Sequence, residues 1–195
     1  MARIPLKITL YKSEIIYDIQ NKSMLLARSR NTGDNYEDVA HMQANDDEEN
    51  ENQIMRSIGN AWTSLQSKLS EYVDVGIEDY ERVNAAGDTE ITWHRYGDPT
   101  ATPATGDGMA TATNRLFDTQ GRLLAYLLMP ENYNEASKEL IATAMHQYIV
   151  NMSLAEWYVL TNKAESDTFL TMATGNFSQL REALHRRKRP SRRPV

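Results

Sequence analysis

Apolar residues recur at three- and four-residue steps along much of this chain, and the helices those steps predict frame everything else. The first series within residues 134–184 is Leu140, Ile141, Ala144, Met145, Tyr148, Ile149, Met152, Ala155 and Trp157, one broad face of an amphipathic helix. Asn134 is placed to cap that helix, with Glu135 in the first turn, where the helix dipole favours a negative charge. A break near Thr161, Asn162 and Lys163 precedes a second series, Phe169, Met172, Ala173, Phe177, Leu180 and Leu184, in which Gly175 predicts a kink or a split. The most regular series is Ile54, Ile58, Trp62, Leu65, Leu69 and Tyr72, which predicts a helix over residues 48–73. All three stripes read as core packing.

Elsewhere the period changes. Ile4, Leu6, Ile8 and Leu10 alternate as in a strand, and Pro5 suggests a sheet edge. Residues 13–30 fit a helix with Ser13 as its cap, although the β-branched run at Ile15, Ile16 and Ile19 leaves a strand open. Residues 89–96 alternate again, with Ile91 and Trp93 on one face. Residues 114–117, a turn through Gly121 and residues 122–128 predict a β-hairpin closed by Pro130. The acidic segment 31–53 begins as a polar loop, and the small-residue segment 97–113 reads as a long flexible loop unable to offset its ordering entropy. The predicted class is mainly α (α+β): a bundle of three to four helices with an inserted β-hairpin and long flexible loops. Its predicted organisation is a single domain over 1–185, a β insertion at about 89–129, and a basic arm over 186–195.

Composition adds limits. The chain has 195 residues, enough for one domain with a real core, and no run approaches the ~18 apolar residues of a membrane span. The segment from Met1 to Lys7 lacks the apolar core of a signal peptide. The absence of cysteine excludes disulfides, Cys-ligated zinc, iron–sulfur clusters and thiol nucleophiles, and fits an intracellular site of synthesis. The net charge of -6 is unevenly spread. Asp46, Asp47, Glu48, Glu49 and Glu51 form an acidic patch, a candidate contact between subunits. Arg186, Arg187, Lys188, Arg189, Arg192 and Arg193 crowd the other end, a candidate partner-binding arm for protein or for DNA backbone.

No chemistry announces itself. His41, His94, His146 and His185 stand far apart in different elements, and no metal-binding motif or paired His/carboxylate spacing occurs. Gly106, Asp107 and Gly108 do not belong to a phosphate loop, the acidic patch lacks the alternating ligands of a calcium loop, and no serine-hydrolase elbow is present. The expectation is a protein that is not an enzyme, with no catalytic residue, metal or cofactor.

Met145-His146-Gln147-Tyr148-Ile149-Val150, then Ala155-Glu156-Trp157-Tyr158, then Thr161-Asn162-Lys163 and an Arg–Pro tail, together with Tyr17-Asp18-Ile19-Gln20-Asn21-Lys22, resemble head–tail connector proteins of tailed bacteriophages. The likeness is to the structural ring proteins of crAss-like and other phages of Bacteroides-type gut bacteria. It spans both ends of the chain and skips the acidic and small-residue segments. It implies a virion subunit with no enzymatic role, in a homo-oligomeric ring, typically of about twelve copies. Such a ring sits between portal and tail, contacts the portal protein and other connector or tail proteins, and surrounds the DNA exit channel without reading DNA sequence or touching a membrane. Assembly in the host cytoplasm and residence at the virion head–tail junction follow. The residue-level alternative is a nucleic-acid-binding or packaging accessory protein acting through the basic arm.

Overall fold

The computed structural model describes residues 3–31, 43–44, 48–73, 77–83, 89–95, 116–117 and 121–188. In chain order they form β1 (Arg3–Tyr11), α1 (Lys12–Arg30), α2 (Glu48–Lys68), β2 (Ile77–Val83), β3 (Thr89–Arg95), β4 (Arg122–Pro130), a 3-10 turn (Glu135–Ser137), α3 (Lys138–Thr161) and α4 (Lys163–His185). This is a mainly helical α+β fold, a helix bundle with an inserted antiparallel hairpin. Most of the loop predicted at the start of segment 31–53, and all of 97–113, lie outside the described residues.

The apolar alternation of β1 needs a second apolar strand, and β4 supplies it. The two pair antiparallel with Leu6 opposite Leu127, Ile8 opposite Ala125 and Leu10 opposite Leu123, so the inward residues of both strands share one face. The predicted local hairpin over 114–128 is therefore corrected: β4 pairs with β1 instead. Residues 114–115 and 118–120 of that hairpin lie outside the described residues; of the rest, Phe117 is buried and Leu116 packs partly into the core. The strand predicted at 89–96 is found as β3. Its partner is β2, residue for residue from Ile77 opposite Arg95 to Val83 opposite Thr89.

The helix predicted over 48–73 ends early, at Lys68, and the cause lies in the ribbon. Leu69 N–H is shared between Leu65 O at 3.0 Å and Gln66 O at 3.2 Å, which tightens the last turn. Tyr72 O then accepts from Leu128 N–H at 2.7 Å and Val73 bridges to Leu127, so β4 takes this backbone out of the helix. Ile54, Ile58 and Leu65 of α2, and Leu69 just past its end, are buried as the spacing predicts, and Trp62 packs partly buried against them.

The element the others pack around is α3, which touches α1, α2, α4 and β1. It buries Ile141, Met145, Tyr148, Ile149, Val150, Leu154 and Tyr158, which is more than one face. Apolar on most sides, it is an interior helix rather than the amphipathic one predicted. Leu140, read as part of the stripe, is exposed instead, as is Met172 in α4. Asn134 does cap, but through the 3-10 turn: its side chain accepts from Ala136 N–H at 3.2 Å. Asn162, with φ -154° and ψ 94°, ends α3 and caps α4 by accepting from Glu165 N–H at 3.4 Å. Two further expectations fail. Ser13 does not cap α1, because β1 runs directly into the helix and the position at its start is Tyr11. Gly175 does not split α4, which continues unbroken with Gly175 on its exposed side.

Candidate functional site

A polar seam runs through the otherwise apolar contact of α1, α3 and α4. Asp18 and Lys22 stand one turn apart on α1, as do Gln147 and Asn151 on α3, so each pair presents two polar groups to the other helix. Asp18 Oδ2 lies 2.9 Å from His146 Nε2. Lys22 Nζ donates to Gln147 Oε1 and to Asn151 Oδ1, both at 3.0 Å. Asn151, buried, passes the seam on by donating to Asn176 Oδ1 at 2.8 Å. Burial pulls the Lys22 pKa below the usual lysine value, with the Asp18 charge opposing it. Farther along, the Arg30 guanidinium pairs with buried Glu165 in the first turn of α4, where the helix dipole also favours a carboxylate. Burial, with the Glu165 charge adding to it, pushes the neighbouring Tyr158 hydroxyl pKa up. Such a chain of matched donors and acceptors fixes the register of the three helices.

Beside the seam, where β1 passes into α1, an open cleft of about 610 Å³ lies between that junction and α3. Tyr11, Glu14, Tyr17, Asp18, Thr143 and His146 line it. Two carboxylates and two tyrosine rings make this surface both acidic and aromatic. His146 is oriented by Asp18, and among the described residues no hydroxyl is hydrogen-bonded to the ring. Among the described residues no cluster of His, Asp and Glu could hold a metal ion, and no helix is long and apolar enough to cross a membrane.

The candidate arm begins as a strap. Asn134 N–H donates to Arg186 O at 3.3 Å, Tyr133 bridges to Arg187, and Lys188 N–H donates to Asn132 O at 2.7 Å. Arg186 pairs with Glu182 at 3.4 Å and Lys188 with Glu135 at 3.2 Å. Arg187 turns back to donate to Leu184 O at 2.7 Å, satisfying a carbonyl at the end of α4. Arg189, Arg192 and Arg193 lie outside the described residues. Of the acidic patch, Glu51 pairs with Lys12 of the same chain at 3.3 Å, Glu48 and Glu49 open α2, and Asp46 and Asp47 lie outside the described residues. Arg186, Arg187, Lys188 and Glu51 thus each have a partner within their own chain.

The seam and the cleft are the features that sequence patterns did not reveal. Asp18 and His146 are far apart along the chain, and only the packing of α1 on α3 makes them neighbours. The available signal was a set of polar residues interrupting apolar stripes at helical spacing. Comparison of the chain with protein-family models, with curated proteins and with solved structures finds no match.

Proposed function

We propose that the chain is a structural subunit of a head–tail connector ring of a tailed bacteriophage. In this reading it stands between portal and tail around the DNA exit channel, resides in the virion and assembles in the host cytoplasm. The observation that carries the reading is a set of large apolar side chains left exposed on helices whose inner faces are already filled. Tyr17 is 64% exposed and Leu25 54% on α1, Val159 58% on α3, and Leu170 and Met172 flank the buried face of α4. The intrachain core does not use these side chains, and burial against neighbouring subunits would stabilise each by up to about 1.5–3 kcal/mol. The residues that carry the resemblance, among them Tyr148, Ile149, Val150 and Tyr158, belong to the central helix on which those outer faces are mounted. A net-acidic subunit also suits a channel, because like charge keeps passing DNA from adhering.

Light scattering coupled to size-exclusion chromatography tests the proposal on the purified chain. The expected mass is a large multiple of 22.2 kDa, with ring-shaped particles in electron micrographs. A mass of one subunit at every concentration, with the protein absent from purified virions, overturns it. Retention on DNA that falls steeply with salt and vanishes on truncation after Leu184 would favour the packaging-accessory alternative.

A further inference from the structure

α1 runs in the same sense as α3, since Asp18 meets His146 and Lys22 meets Asn151. α4 runs against them, with Ser166 bonded to the Ala155 carbonyl and Asn176 to Asn151. The first turns of α1 and α3 and the last turn of α4 therefore share one pole of the bundle. The acidic, aromatic cleft opens at that pole, and the basic strap ends there. We propose that the cleft of each subunit receives the arginine- and proline-bearing segment 189–195 of a neighbouring copy. The inference rests on the ring reading and names the contact that joins one subunit to the next.

Charge complementarity is the first argument. Around the strap, Glu182 and Glu135 pair with Arg186 and Lys188, and the sequence of 189–195 adds Arg189, Arg192 and Arg193 with no acidic residue. The cleft carries the opposite excess: Asp18 is shared with His146, and among the described residues Glu14 makes no ion pair. Shape is the second. Tyr11 and Tyr17 are 46% and 64% exposed, and their rings offer faces for guanidinium groups and proline rings. Pro190 and Pro194 restrict the segment towards extended conformations, which lowers the entropy lost on docking. Length is the third. From Lys188, held at Glu135, residues 189–195 reach at most about 23–25 Å when extended, which sets how near the receiving cleft must lie. An arm of one copy in the cleft of the next is a head-to-tail contact, the kind that propagates until a ring closes.

The chain has no cysteine, so introduced thiols report only on themselves. Full-length Thr143→Cys chains, carrying the thiol in the cleft, are mixed with full-length Ser191→Cys chains, carrying it on the arm, and treated with a short bismaleimide. The expected product is a covalent dimer in the mixture that neither variant yields alone. It is lost when Glu14→Lys is added to the cleft chain, and regained when Arg192→Glu and Arg193→Glu are added to the arm chain. No mixed dimer, or only an intramolecular link in the Thr143→Cys/Ser191→Cys double variant, overturns the proposal. Light scattering of the unmodified chain separates the two levels: a ring without the mixed dimer sinks only the arm contact, whereas a monomer sinks the ring reading as well.

Discussion

Gly121 sits where a side chain would be strained by backbone rather than by neighbours. Its φ is +70°, the left-handed region, and a Cβ added there would meet Lys12 Cβ at an ordinary 3.7 Å. Its carbonyl accepts from Lys12 N–H at 2.8 Å, so this turn ties the start of β4 to the junction of β1 and α1. Gly121→Ala is expected to lower unfolding stability by about 1 kcal/mol, read as a drop in the denaturation midpoint, with Asn costing less than Ala. Lys22 supplies a second test, in pH. Because burial lowers its pKa in the folded chain, the unfolded chain holds that proton more tightly in the alkaline window just below 10.5. Stability attributable to Lys22 is therefore lowest below the window and rises as pH climbs through it. Denaturant titrations of the wild type and Lys22→Met, compared across that window, should show the difference moving in favour of the wild type. The titratable neighbours at this site are Asp18 on α1 and His146 on α3, and α4 contributes the neutral Asn176.

At the scale of elements, legibility followed the length of the periodic signal. α2 and α4 were readable because their buried positions recur over several turns, as Ile54, Ile58 and Leu65 do in one and Phe169, Ala173, Leu180 and Leu184 in the other. β2 was not readable, because Ile77-Glu78-Asp79-Tyr80-Glu81-Arg82-Val83 is dominated by charge and shows no apolar alternation. Pairing of β4 with β1 was hidden for another reason. A turn through Gly121 reads equally well as the centre of a local hairpin, and only the match of Leu6, Ile8 and Leu10 to Leu127, Ala125 and Leu123 decides otherwise. Gly175 misled by propensity: glycine weakens a helix, yet α4, packed along α3, runs through it without a break. An added Cβ there meets nothing within 4 Å, so Gly175→Ala should raise stability by roughly 0.5–1 kcal/mol, seen as a higher thermal midpoint with unchanged helical content.

For the whole molecule, the separation of charge that is plain in the sequence becomes local in the fold. Lys12 takes Glu51, Arg30 takes Glu165, Arg186 takes Glu182 and Lys188 takes Glu135, all within one chain. Most of these pairs are exposed and contribute only about 0–1 kcal/mol each, so they orient surfaces more than they hold the fold. Assembly surfaces are the least legible part of any sequence, since an exposed Tyr17 or Val159 obeys the same spacing rules as a buried neighbour. Their identity depends on which side of a helix the core leaves open.

The union of β1 with β4 also sets a timetable. The ribosome finishes the first strand well before it makes the second, an interval on the order of ten seconds at ordinary elongation rates. Through that interval Leu6, Ile8 and Leu10 have no ladder to join, and Pro5 withholds one hydrogen-bond donor from any stray strand that zips onto them. Newly made chains arrested before Arg122 should therefore be the ones that clump, and a nascent protein released past Pro130 the first in which this ribbon can close.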